Sequence, residues 1–342
     1  MREMKDSGVE WIGEIPKDWK LERLQWHLDE IVEKNDPIVT TQVLSLTNKK
    51  GVIPYEEKGA QGNVAKESYD GYKIAYPNTI VANSMNILIG SVGYSNYYGC
   101  VSPVYYVFKE KDNNDLRFIN YIMQTSQFQK ELRRYANGIL EIRLRVSSGN
   151  ILKRFCAFPD YQEQSRIADY LDSKCSQIDD IIEKQQTIIE KLKEYKLRLI
   201  QETVTKGLDE NVELKESGEI WVGKVPIHWK VLKLKCHTRM ITPMRDKPED
   251  LNGDIPWVRI EDYNGKYIDS SREGFGVSEQ TIKEMNLKVY PVGSILCTSS
   301  CDLGKCAIVA TPLVSNQRFI NIVPDEDTSS DYLYYVMTSV MK

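Results

Sequence analysis

From Pro159 to Gly207 the chain carries no internal glycine or proline, and its apolar residues recur every seven positions. Leu171, Ile178, Gln185, Leu192 and Leu199 form one row. Ile167, Lys174, Ile181, Ile188 and Tyr195 form its companion, three positions after or four before a member of the first. This is an a/d pattern over about five heptads, the signature of a long helix packed along another helix. At 1.5 Å per residue it spans roughly 65 Å. Ile182 and Ile189 widen the stripe, and Gln185 and Lys174 are polar members of the kind that fix register at a cost in stability. The pattern predicts a spacer and an association surface.

The flanking segments read differently. Gln42–Leu46, Thr79–Asn83 and Val101–Phe108 are short runs rich in β-branched and aromatic residues, bounded by Gly, Pro and Asn, and they predict strands. Leu116, Ile119, Ile122, Met123 and Leu132 follow at helical spacing and predict one closing helix. After the long helix, Ile255–Ile260, Ser294–Thr298 and Arg318–Val323 repeat the strand pattern. The expected class is α/β (α+β), with two similar domains at residues 1–158 and 208–342 joined by a coiled-coil-type helix at 159–207.

The two flanks share landmarks. Ser7, Gly8, Trp11, Gly13, Pro16 and Trp19 recur as Ser217, Gly218, Trp221, Gly223, Pro226 and Trp229, at an offset of 210. Tyr76-Pro77 recurs as Tyr290-Pro291, and Tyr121 and Met123 as Tyr335 and Met337, at an offset of 214. Between these landmarks the sequences differ almost completely. One scaffold is used twice, for two ligands or for two versions of one. The four tryptophans are expected to pack each unit against the helix.

A length of 342 residues fits two domains, and 41% hydrophobic with 27% charged residues fits a folded soluble chain. No run approaches the eighteen apolar residues of a membrane span. The opening MREMKDSGVEWIGEIP is too polar for a signal peptide, and seven scattered cysteines fit a reducing, cytoplasmic setting. The net charge of −4 hides two basic segments. Between Lys130 and Arg154 there are seven cations against two carboxylates, and between Lys230 and Lys247 six against one. Such segments are a nucleic-acid footprint or two solvated faces.

With the repeat and helix in place, the sequence resembles the specificity subunit of type I restriction–modification systems. SGVEWIGEIPKDW resembles that family's amino-terminal signature and returns as SGEIWVGKVPIHW. Pro159, Glu163-Gln164, Ile167 and Leu171-Asp172 match the pattern of its central conserved helix. Gly99-Cys100-Val101-Ser102-Pro103-Val104-Tyr105 resembles a Gly-x-Val-Ser-Pro-x-Tyr strand of its recognition domain. There is one departure. Family members carry a second conserved helix after the second recognition domain, antiparallel to the first. Here the second unit reaches only Lys342, level with residue 128 of the first. The expectation is a fragment or a shortened subunit, whose helix pairs with a second copy or with a separately supplied half-subunit.

Catalytic constellations do not assemble. Pro159-Asp160 with Asp172-Ser173-Lys174 has the spacing of a PD…(D/E)-x-K nuclease, but on a helix residues two apart point away from each other. Gly304-Lys305-Cys306 lacks the remaining residues of a phosphate loop. Cys297, Cys301 and Cys306 are poorly spaced for zinc. Recognition remains. Asn83, Ser84, Asn86, Ser95, Asn96, Tyr97 and Tyr98 offer amides and hydroxyls suited to base edges. Arg133, Arg134, Arg143, Arg145, Lys235, Arg239 and Arg245 offer cations for guanine or phosphate.

The resemblance implies a non-catalytic subunit that reads a bipartite DNA target, one half-site per recognition domain, with the helix setting the gap. It implies modification subunits that methylate adenine with S-adenosylmethionine, and restriction subunits that cleave with ATP and Mg²⁺, so the cofactors belong to partners. The rival reading is a coiled-coil-dimerised interaction protein whose two modules bind something other than DNA.

Overall fold

A computed structural model describes residues 2–47, 51–58, 69, 71–138, 144–243, 246–300 and 304–340. The chain divides into two compact units, Met1–Ile182 and Glu183–Lys342. The helices are α1 (Leu116–Gln124), α2 (Ser126–Arg133), α3 (Ser148–Leu152), α4 (Tyr161–Lys206), α5 (Glu279–Met285) and α6 (Ser330–Val340). Among the described residues no helix is long and apolar enough to cross a membrane.

The first unit is built on an antiparallel sheet in the order Leu28–Ile31, Tyr105–Glu110, Thr79–Asn83, Val92–Ser95. Side chains alternate across its faces. Ile80, Ala82 and Phe108 meet Ile119, Met123, Phe128 and Leu132 of α1 and α2. Val81 and Val107 meet Leu44, Leu46 and Val52 on the other side. A strand buried on both faces reads as an unbroken apolar run, which is why Thr79–Asn83 was legible at full length. At Gly93 any Cβ would lie 2.9 Å from the Gly51 Cα, so the second layer approaches this closely because position 93 is glycine.

Two expected elements are divided. Val101–Phe108 is two strands, Gly99–Val101 and Tyr105–Glu110, interrupted at Ser102-Pro103, where proline has no N–H to give to a ladder. The single closing helix is α1 and α2, broken at Thr125, whose extended backbone (φ −67°, ψ 144°) ends one helix while its hydroxyl caps the next at Phe128 N.

After α3 the chain returns to its beginning. Phe155–Phe158 pairs antiparallel with Lys20–Arg23, and Phe158 stacks on His27 at 3.7 Å. Asp160 then caps α4 by accepting from Glu163 N at 2.8 Å. The first turns of α4 are sewn to the unit. Buried Gln164 donates to Asn114 Oδ1 and accepts from Asp115 N, both at 3.1 Å, and Ala168 enters the core. Trp19 packs on Phe118 and donates to Glu163 Oε2, whereas Trp11 packs on Phe128 of α2 rather than on the long helix. The far end of α4 stops at Gly207 (φ +79°), and Trp229 lies against that glycine.

The second unit repeats the sheet. Its order is Thr238–Ile241, Phe319–Pro324, Ile295–Thr298, Cys306–Val309, with Tyr267–Ile268 added in parallel at the edge. Each of the first four strands stands about 210–216 residues after its counterpart, so the repeat seen at a few landmarks is a repeat of topology. The expected strand over 255–260 stops at Val258 and gives way to a 3-10 turn at Ile260–Asp262. The segment 230–233, counterpart of Lys20–Arg23, forms no strand, and Val231 and Leu232 are exposed.

Candidate nucleic-acid interface

The sequence candidates fall into groups that the fold sorts by reach. Asn83, Ser84 and Asn86 form the turn that leaves the strand Thr79–Asn83. Asn83 Oδ1 accepts from Met85 N at 3.0 Å, which pins the turn, and Met85 and Asn86 are exposed. Ser84 is only 5% exposed; its amide donates to Val104 O and its carbonyl accepts from Val146 N. Ser84 is thus held in the scaffold and offers little surface to a base edge.

Arg145 reaches the same place from a distant part of the chain. Its backbone exchanges hydrogen bonds with Asn137, and its guanidinium lies 3.7 Å from the Met85 sulfur. Asn86, Met85, Asn137 and Arg145 are all exposed, so one surface offers amides beside a cation. Arg143 and Arg245 lie outside the described residues.

Ser95, Asn96, Tyr97 and Tyr98 do not join this surface. In the ladder Thr79 faces Ser95 and Ala82 faces Val92, so the two polar groups occupy opposite ends of one hairpin. The separation is at least three residue steps, about 10 Å. Ser95 is fully buried, with its hydroxyl engaged by the amide and carbonyl of Tyr97. Asn96, Tyr97 and Tyr98 are exposed, and Tyr98 packs on Tyr76 with centroids 5.5 Å apart.

The first basic segment is not one free surface. Glu131, nearly buried, pairs with Arg154 at 3.2 Å and Arg134 at 3.4 Å. Arg134 also holds Glu10 at 3.0 Å, and these carboxylates keep its guanidinium firmly charged. Arg154 lies flat on Tyr135, 3.4 Å from the ring centre. Arg133 stays exposed in the last turn of α2. In the second unit Lys235 and Arg239 are exposed, the latter on the edge strand Thr238–Ile241.

The helix seam divides as well. Ile167 packs against the core of the first unit and Leu171 is half-buried. Ile178, Ile181, Gln185, Ile188, Leu192, Tyr195 and Leu199 are exposed, as are Ile182 and Ile189; Leu192 shows 59% of its surface. The Asp172 carboxylate of the nuclease-like spacing accepts from the Tyr121 hydroxyl at 2.6 Å and from Arg117 at 2.9 Å. Burial and that carboxylate together raise the Tyr121 phenol.

Residues 228–342 match the type I restriction modification DNA specificity domain. The specificity subunit of the type I restriction enzyme MjaIX from Methanocaldococcus jannaschii is 39% identical over 125 residues, 35% of this chain and 29% of that one. The EcoprrI specificity subunit of Escherichia coli is 35% identical over 99 residues, 28% of this chain and 24% of that one. The matched regions thus span under a third of either relative. Among solved structures, a chain of a type I restriction–modification system described for its complex assembly and conformational transition superposes with a TM-score of 0.70. That likeness, at 12% identity, covers 96% of this chain and 80% of that one. The HsdS subunit from Thermoanaerobacter tengcongensis gives 0.58 at 10% identity, over 98% and 82%. Residues 228–342 thus match a specificity domain, and the two units of one strand order with the long helix between them in sequence share the fold of these solved type I restriction–modification chains.

Proposed function

We propose that this chain is the DNA-reading component of a type I restriction–modification complex, without catalysis of its own. The observation that carries it is the repeated sheet: both units keep one strand order, while the segments between the strands differ almost completely. A constant frame with divergent loops is what reading two different half-sites requires, because sequence is read by side chains placed on a rigid support. In the first unit the surface of Asn86, Asn137 and Arg145 supplies the matching chemistry, with Arg suited to guanine and Asn to adenine in the major groove. Asn96, Tyr97 and Tyr98, and in the second unit Lys235 and Arg239, are further contacts in this reading.

The partners are double-stranded DNA, modification subunits that methylate adenine with S-adenosylmethionine, and restriction subunits that use ATP and Mg²⁺, all in the cytoplasm. The exposed stripe of α4 is covered by a second helix, from another copy or a separate half-subunit. Charge sets its direction. Residues 169–183 hold five carboxylates against one cation, and residues 184–206 hold six cations against three carboxylates. A like helix lying antiparallel sets each acidic half beside a basic one.

Mapping methylated adenines in cells with and without this gene tests the reading. One bipartite motif should vanish with the gene. An unchanged methylation pattern, in cells that express the chain and the modification subunit, would contradict it.

A further inference from the structure

We infer that Arg23 and Lys153 form a DNA-phosphate site beside the Met85–Arg145 surface; the inference rests on the DNA reading above. Both residues line a depression of about 440 Å³ on the first unit, together with Arg134, Arg154, Glu10 and Glu131. The two carboxylates are already engaged. Glu131 holds Arg134 and Arg154, and Glu10 holds Arg134. Among the described residues no carboxylate lies within ion-pair distance of Arg23 or Lys153, so the depression keeps two uncompensated positive charges.

Their geometry suits a phosphodiester. Arg23 ends the strand Lys20–Arg23, opposite Phe155 in the ladder, and its guanidinium lies over that ring at 4.9 Å. A guanidinium fixed by its face keeps its edge N–H groups for a ligand, and that planar fork matches two phosphate oxygens. Lys153 caps the end of α3 and is exposed, a mobile point charge that can reach the neighbouring phosphate. α3 also links the depression to the base-reading surface. Arg145 precedes it, Lys153 follows it, and Asn150 within it donates to Tyr135 O at 3.1 Å, two residues before Asn137. Phosphate contacts fix register and base contacts specify, so the two sets are expected side by side. The repeat supports the assignment: at the offset of 210, exposed Lys233 stands where Arg23 does.

The test is a salt titration of duplex DNA binding by the full chain in its assembled complex, parent against the Arg23→Gln, Lys153→Gln double variant. Removing two phosphate contacts should lower the slope of log affinity against log salt by about 1.8, so the parent loses roughly twelve-fold more affinity than the variant between 50 and 200 mM. The loss at low salt should be equal for unrelated sequences, and the methylated motif should not change. Arg23→Lys with Lys153→Arg should retain the parental slope, which separates charge from misfolding. An unchanged slope in the double variant, or an altered motif, overturns the site. An unchanged slope with weakened capture of the modification subunit also overturns it and assigns the depression to an acidic protein surface. A parent without salt-dependent DNA binding would sink the DNA reading itself, a different failure.

Discussion

Asn137 and Arg145 exchange both backbone hydrogen bonds, N to O at 2.8 Å and 2.9 Å. This one pair closes the connection that follows α2 and fixes where Arg145 leaves the frame. The next residue, Val146, is buried and donates to Ser84 O, so the backbone of the arginine and of the residue after it is held. Arg145 is therefore placed by structure while its guanidinium stays exposed at Met85. An anchored cation beside exposed amides fits the proposed reading of base edges.

Arg145→Ala should relax the methylated motif at one position of one half-site. A bidentate arginine contact discriminates by about 1–3 kcal/mol. The readout is the motif recovered from adenine methylation. An intact motif at normal stringency would remove Arg145 from base reading.

Ser95→Ala should behave oppositely. The hydroxyl is buried and holds the Tyr97 turn, so its loss should cost about 1 kcal/mol of stability and leave the motif unchanged. Thermal unfolding together with methylation mapping decides. A changed motif without a change in stability would restore Ser95 as a contact.

The tie between the amino terminus and α4 should weaken with acid. Arg2 donates to Glu163 at 2.9 Å, and this hydrogen bond holds the Glu163 carboxyl below its ordinary 4.5. A depressed carboxylate contributes stability above its unfolded value, and that contribution is lost as pH falls through the folded value. The melting temperature of the parent should therefore drop below about pH 4.5, and Glu163→Gln should flatten that part of the curve. Parallel pH profiles for the two proteins would contradict the linkage.

Much of this was legible in the sequence, and the exceptions share a cause. α4 was read from its period, and the repeated sheet from a few shared landmarks, because helix faces and buried strands leave local patterns. Ser95 has the look of a surface reader because a short polar side chain between strands signals exposure only until its hydrogen bonds to nearby backbone are counted. The pairing of Glu131 with Arg154 spans 23 residues, and Arg23 approaches Phe155 across a ladder 132 residues long in sequence. Contacts of that range have no period, so a basic segment that reads as one surface proves to be partly internal. Thr125 is the opposite case: a threonine between two apolar runs is a cap signal readable in advance.

Inserting four residues after Gln185 should lengthen α4 by about 6 Å and widen the gap between half-sites by roughly two base pairs. The insertion also shifts the heptad register, so association is measured first by sedimentation. An unchanged gap in a complex that still assembles would show that α4 does not set the spacing.

The most direct measurement is the methylated motif of a chimera in which residues 230–342 are replaced by the corresponding region of another specificity subunit. Independent reading by two units on one repeated frame predicts that one half of the motif changes to that of the donor and the other half stays. A change in both halves, or in neither, would contradict the account.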